Sequence, residues 1–110
     1  MDKQLRKEIN QLHAEICGGL SDPNRIAILY ALAEKPESVM ELADALDMPQ
    51  SSLSRHLKVL RDRGMVVAER QGANIIYSLG DKRIIKALDL LREVLGDHLS
   101  KRSALAEAIA

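Results

Sequence analysis

Residues 49–64 read PQSSLSRHLKVLRDRG, a helix with two different faces. Leu53, Leu57 and Leu60 recur at i, i+4 and i+7, an apolar stripe that turns towards a core. Around them lie Gln50, Ser51, Ser54, Arg55 and Lys58, then Arg61 and Arg63. Short hydrogen-bonding side chains occupy the leading end and cations follow. A helix that enters a major groove needs small polar residues in front to reach base edges. It needs basic residues beside them to hold phosphates. A solvated amphipathic helix shows the same pattern, so the neighbouring segments have to separate the two readings.

Upstream, Ser38-Val39-Met40-Glu41 is a capping box, with Ser at the cap and Glu three residues on. It opens a short helix through Leu46, with Leu42 and Leu46 inward. Asp47-Met48-Pro49 makes a tight turn into the quoted helix, and Gly64 is the usual residue just past its end. Downstream, residues 65–70 and 74–79 read as two short strands around a glycine-containing turn, a β-hairpin. Before these, Leu5, Ile9, Leu12 and Ile16 mark a first helix that Gly18-Gly19 ends. Asp22-Pro23 then starts a second helix, which Lys35-Pro36 stops. Asp81 is placed to cap a last helix. Ile84, Leu88, Leu91, Leu95, Leu99, Leu105 and Ile109 carry it to the end, across Gly96.

At 110 residues the chain reads as one domain, 1–110. Aromatic residues make up only 2%, so the core is aliphatic and a single-strand binder that stacks bases on rings is disfavoured. Net charge is zero, yet Arg55, Lys58, Arg61 and Arg63 face only Asp62, so charge is locally basic where the groove-entering helix lies. The single cysteine, Cys17, excludes an intrachain disulfide framework. No apolar run reaches the ~18 residues of a membrane span. The charged N-terminal segment lacks the apolar block of a signal peptide, so the expected location is the cytoplasm. No Ser/His/Asp set, phosphate loop or paired carboxylates can be assembled, so neither an enzyme nor a cofactor is expected.

Two helices across a tight turn, followed by a hairpin, make a winged helix-turn-helix: mainly α with a small β-hairpin. The chain resembles the ArsR/SmtB family of small dimeric winged-helix repressors. The resemblance is carried by LSDPNRIAIL at 20–29, ELADAL at 41–46, SSLSRHLKVLRDRGMV at 51–66 and ERQGANIIYSL at 69–79. It implies four helices, two strands and a fifth helix, with dimerisation through the first and last helices, 3–18 and 81–109. It also implies repression relieved by an inducer. The apolar faces of the terminal helices agree with a homodimer, since a domain this small does not need both to cover its core. Two groove-entering helices then meet two half-sites about one helical turn apart, on a palindromic double-stranded operator.

The family contacts DNA at the start of this helix, and Gln50, Ser51, Ser54 and Arg55 occupy the matching positions. Gln pairs bidentately with adenine and Arg with guanine. Ser52, Lys58 and Arg70 are expected on phosphates, with Gln71 and Asn74 beside Arg70 at the hairpin tip. His56 also belongs to this candidate set. It lies near the inner edge of the helix, where a partly buried structural histidine is the commoner outcome.

Many family members sense metals, and both usual ligand sets are broken here. The thiolate set falls on Ser38, Met40 and Ala43, with no soft ligand among them. The zinc set falls on Asp81, Arg83, Val94 and Asp97, and a cation and an aliphatic cannot bind zinc. His13 and Cys17, four apart on the first helix, are a metal or thiol-switch candidate, with His98 as a third group. The ordinary reading is a buried cysteine acting as a small hydrophobe and a surface histidine. The function expected is a homodimeric DNA-binding regulator with no metal or cofactor assigned and an unknown inducer. The competing reading is a winged-helix protein-interaction module without DNA binding. It accounts for the zero net charge but not for the polar-basic helix face.

Overall fold

A computed structural model describes residues 1–110. Its elements are α1 (Lys3–Gln11), α2 (Pro23–Glu34), β1 (Glu37–Ser38), α3 (Val39–Leu46), α4 (Gln50–Asp62), β2 (Val66–Gln71), β3 (Asn74–Leu79) and α5 (Arg83–Ile109). Asp2 caps α1, and the Asp22 carboxylate accepts the Asn24 N–H at 2.8 Å to start α2 with Pro23 in its first turn. The capping box at α3 is complete. Ser38 Oγ accepts the Glu41 N–H at 3.2 Å, and Glu41 Oε1 accepts the Ser38 N–H at 3.0 Å. These bonds hold the Glu41 carboxyl below its ordinary range. We expect Ser38→Ala to cost about 1 kcal/mol of unfolding free energy, read by urea denaturation. An unchanged midpoint would mean that α3 does not depend on its box.

Asp47 turns the chain between α3 and α4 in the left-handed region, φ 49°, a conformation that Asp tolerates better than most residues. Met48 donates to the Ala43 carbonyl at 3.0 Å, and Pro49 then leads into α4. The stripe of α4 is buried as its spacing requires: Leu53, Leu57 and Leu60 join Ile28, Leu29 and Leu32 of α2, Leu42 and Ala43 of α3, and Met65, Val66 and Leu88 in one core. Strands β2 and β3 pair antiparallel from Val66 opposite Leu79 to Gln71 opposite Asn74. The loop between them is Gly72-Ala73, with positive φ only at Gly72, as a type II′ hairpin turn requires.

Three features differ from the sequence expectation. The hairpin is the larger part of a three-stranded sheet, order β1-β3-β2, because Glu37 and Ser38 pair with Tyr77 and Ile76. A two-residue strand whose second residue is itself the helix cap carries no strand periodicity, so it was not readable. The first helix does not stop at Gly18-Gly19. After Gln11 the chain widens into a π turn over Leu12–Ile16 and tightens into a 3-10 turn over Cys17–Leu20. At the other end α5 begins at Arg83 rather than at residue 81, although Asp81 still accepts the Arg83 N–H at 2.9 Å.

The end helices reach away from the core. Helix α5 is anchored near its start by buried Leu88 and by Tyr30, whose hydroxyl donates to Asp89 at 2.6 Å. That carboxylate raises the Tyr30 phenol above its ordinary range, and Arg92 lies over the Tyr30 ring. From Asp89 onwards every residue of α5 is exposed, as is every residue from Met1 to Glu15. The radius of gyration is 17.4 Å, against about 13 Å for a compact domain of this length. Accessible surface is 8058 Å², whereas a compact monomer of this mass exposes roughly 6,100 Å².

Candidate nucleic-acid interface

Helix α4 presents its polar residues outward in the same register that buries its leucines. Gln50, Ser51, Ser54, Arg55 and Lys58 are exposed, stepping by turns along one face, and Arg61 and Asp62 extend it. Helix α3 and strand β2 both pack against this helix. At the wing tip Arg70, Gln71 and Asn74 are all exposed.

The outward cations are lightly held. Arg55 Nη2 is 3.4 Å from Ser52 Oγ, one long hydrogen bond on the surface. Lys58 pairs with Asp62 at 2.9 Å, and this holds the Asp62 carboxyl below its ordinary range. Both partners are solvated, so the pair is worth little and yields readily to a phosphate. Ser52 and His56 are half-buried on the flank of α4 rather than on its crest. His56 Nδ1 lies 3.4 Å from Arg25 Nη1 of α2.

Arg63 leaves the face to which its spacing assigned it. Its guanidinium turns back across the protein and donates to the carbonyls of Ala14 and Glu15, the latter at 3.1 Å. Sequence spacing past the end of a helix cannot carry this information, because Arg63 stands in the cap position, where helical phase is lost.

The ligand candidates are scattered. Asp81 is engaged by Arg83 through both carboxylate oxygens, at 2.7–3.2 Å, and hydrogen bonds from Arg83 hold its pKa down at about 2. Val94 and Asp97 lie more than two turns along α5, both exposed. Cys17 is exposed in the protomer, not the buried small hydrophobe that a lone cysteine suggests. His13 sits in the π turn and Cys17 in the 3-10 turn, so the regular four-residue face that joined them is absent. His98 is exposed in the distal half of α5. No group of three or more His, Cys, Asp or Glu side chains in the protomer is gathered to hold a metal ion. No helix is long and apolar enough to cross a membrane.

Comparison with known proteins places this geometry. Residues 22–67, from the α2 cap to the start of the wing, match the family described as bacterial regulatory protein, arsR family. The HTH-type transcriptional regulator NmtR of Mycobacterium tuberculosis is 44% identical over 89 residues, covering 81% of this chain and 71% of NmtR. The HTH-type transcriptional repressor SmtB of the same organism is 41% identical over 78 residues, 71% of this chain but only 58% of SmtB. Among solved structures, the homodimeric winged helix-turn-helix DNA-binding domain of Mb0332 from Mycobacterium bovis, described as a possible ArsR-family regulator, superposes with a TM-score of 0.76. Its sequence identity is 25%, over 90% of this chain and 91% of that one. NmtR is named as a transcriptional regulator and SmtB as a transcriptional repressor.

Proposed function

The chain belongs to the arsR family of bacterial regulatory proteins, and from that premise we propose that it is a homodimeric, sequence-specific DNA-binding repressor acting in the cytoplasm. The single observation that carries the reading is the outward face of α4. Gln50, Ser51, Ser54, Arg55 and Lys58 are exposed on the crest of a helix whose other face is locked into the core. Base readout falls to Gln50, Ser51, Ser54 and Arg55, with Arg55 on guanine and Gln50 on adenine. Ser52, Lys58 and the wing's Arg70, with Gln71 and Asn74 beside it, hold phosphates or lie along the minor groove. His56 is assigned a supporting role at the flank.

The homodimer is supported by the two end helices. Leu5, Ile9 and Leu12 in the N-terminal helical segment and Leu91, Val94, Leu95 and Leu99 in α5 are large apolar side chains left in solvent. The surface beyond that of a compact monomer is roughly 2,000 Å², the share per protomer of a large obligate interface. Two copies of α4 then face two half-sites of a palindromic operator, and the genes beside this one are the expected targets. The relieving signal is assigned to neither familiar ligand set. Ser38, Met40 and Ala43 offer no thiolate, and Asp81 is already committed to Arg83.

Arg55→Ala and Lys58→Ala test the division of labour. Arg55→Ala lowers affinity for the selected operator by about 1–3 kcal/mol and relaxes one position in it. Lys58→Ala weakens specific and random duplexes alike and flattens the salt slope. Fluorescence anisotropy on both duplexes at several salt concentrations reads this. Equal loss on both for Arg55→Ala removes it as a base reader.

The zero net charge favours one rival reading, a protein-interaction module that has kept the winged fold without binding DNA. Under that reading neither substitution changes binding to any duplex.

A further inference from the structure

Two arginines lie off the DNA face and grip one short segment. Arg63, at the end of α4, donates to the carbonyls of Ala14 and Glu15 in the π turn. Arg25 of α2 donates through Nε to the Gly19 carbonyl at 2.8 Å and through Nη2 to the Gly18 carbonyl at 3.3 Å. Its Nη1 reaches His56 of α4 at 3.4 Å. The glycines make room for this. A Cβ on Gly18 would stand 3.0 Å from Arg63 Nη1, and one on Gly19 would stand 3.0 Å from Arg63 Cδ and from the Met65 side chain. Carbonyls at a helix end need donors, and a guanidinium supplies a charge-assisted fork.

What the grip controls follows from burial. Helix α1 contains no buried residue. Its direction is therefore set where it leaves the body, at Ala14–Leu20, by the packing of Ile16 and Leu20 on the core and by the two arginines. Both arginines answer to α4, Arg63 by sequence and Arg25 through His56.

We propose that Arg25 and Arg63 are positioning residues that fix the angle between the recognition helix and the N-terminal dimerisation helix. They thereby fix the spacing at which two recognition helices meet DNA. The inference rests on the DNA-binding, dimeric reading above. It also gives a role to the arginine of the DPNR motif at 22–25 and to Gly18-Gly19, whose reading as a helix stop was incomplete.

The test has one arm without DNA and one with it. In a Cys17→Ser background, spin labels go on Lys7→Cys in α1 and Arg61→Cys in α4, and labelled chains are diluted with unlabelled ones. Pulsed EPR on the otherwise unchanged protein should give one narrow intramolecular distance. Arg25→Ala with Arg63→Ala should broaden or shift it, and Arg63→Lys, which keeps charge but loses the fork, should fall between. The second arm uses a palindromic duplex selected from random DNA by the unsubstituted protein, and the same duplex with one half scrambled. The double variant should lose tenfold or more on the palindrome and nothing on the single half-site, since angle matters only when both helices engage. An unchanged distance distribution overturns the proposal whatever the DNA result. Equal losses on the two duplexes overturn it too, because a general loss of structure acts on both. If the unsubstituted protein selects no duplex, the DNA-binding reading fails, and the EPR arm still decides the linkage between α1 and α4.

Discussion

Leu91→Asp combined with Leu95→Asp gives a monomer that no longer binds an operator tightly. The two leucines lie one turn apart on α5, 60% and 53% exposed in the protomer, beyond the last residue that the helix buries. Neither belongs to the core that ends at Leu88, so their loss takes nothing from the winged domain itself. In the dimer each aspartate places a charge in an apolar seam without a partner, which costs several kcal/mol per site and is met twice by symmetry. Sedimentation equilibrium should return the chain mass of 12.2 kDa rather than twice that value. Affinity for a palindromic duplex should fall by roughly 10²–10⁴, because the second half-site is no longer held at high effective concentration. A dimer that survives the double substitution places the interface elsewhere.

Gly80→Ala damages the fold itself. A Cβ at this position would stand 2.2 Å from the Gly64 carbonyl oxygen, with the Gly64 and Met65 carbonyl carbons at 3.1 and 3.2 Å. All three are backbone atoms that no rotamer change can move aside. The reason is a clasp. Gly80 donates its N–H to the Met65 carbonyl at 2.8 Å, just after Gly64 turns the chain out of α4 with φ +74°. The end of the recognition helix and the approach to α5 are thus held backbone to backbone. Forcing a methyl group into the clasp costs about 3 kcal/mol, a large share of the roughly 5–15 kcal/mol that a domain of this kind has. Urea denaturation should show a drop about three times that of Ser38→Ala. A loss below 1 kcal/mol would show that the clasp opens freely.

Most of the architecture was legible because it is written in local signals. The Ser38–Glu41 box, Pro23 after Asp22, Gly64 past α4 and the leucine stripe of α4 each act through neighbours in sequence, and each appears in the structure as read. What sequence did not disclose depends on partners far along the chain. The strand at Glu37–Ser38 exists because β3 lies beside it. The π and 3-10 turns at 12–20 coincide with donors from Arg63, 48 and 49 residues away, and from Arg25 of α2. Arg63 counted as a surface cation by spacing and proved to be an internal strut. The outward polar face at Gln50, Ser51, Ser54, Arg55 and Lys58 was legible because it complements a buried stripe. The flank residues Ser52 and His56 were less so, since helical phase puts them at the boundary.

On the function proposed, the outward face of α4, presented twice by a dimer, reads a palindrome. This is tested most directly by titrating the protein, across a range of salt, against the DNA upstream of its own coding sequence. Binding to one palindromic segment should weaken steadily as salt rises and collapse when either half is scrambled. Absence of palindrome-dependent binding at low salt would contradict it.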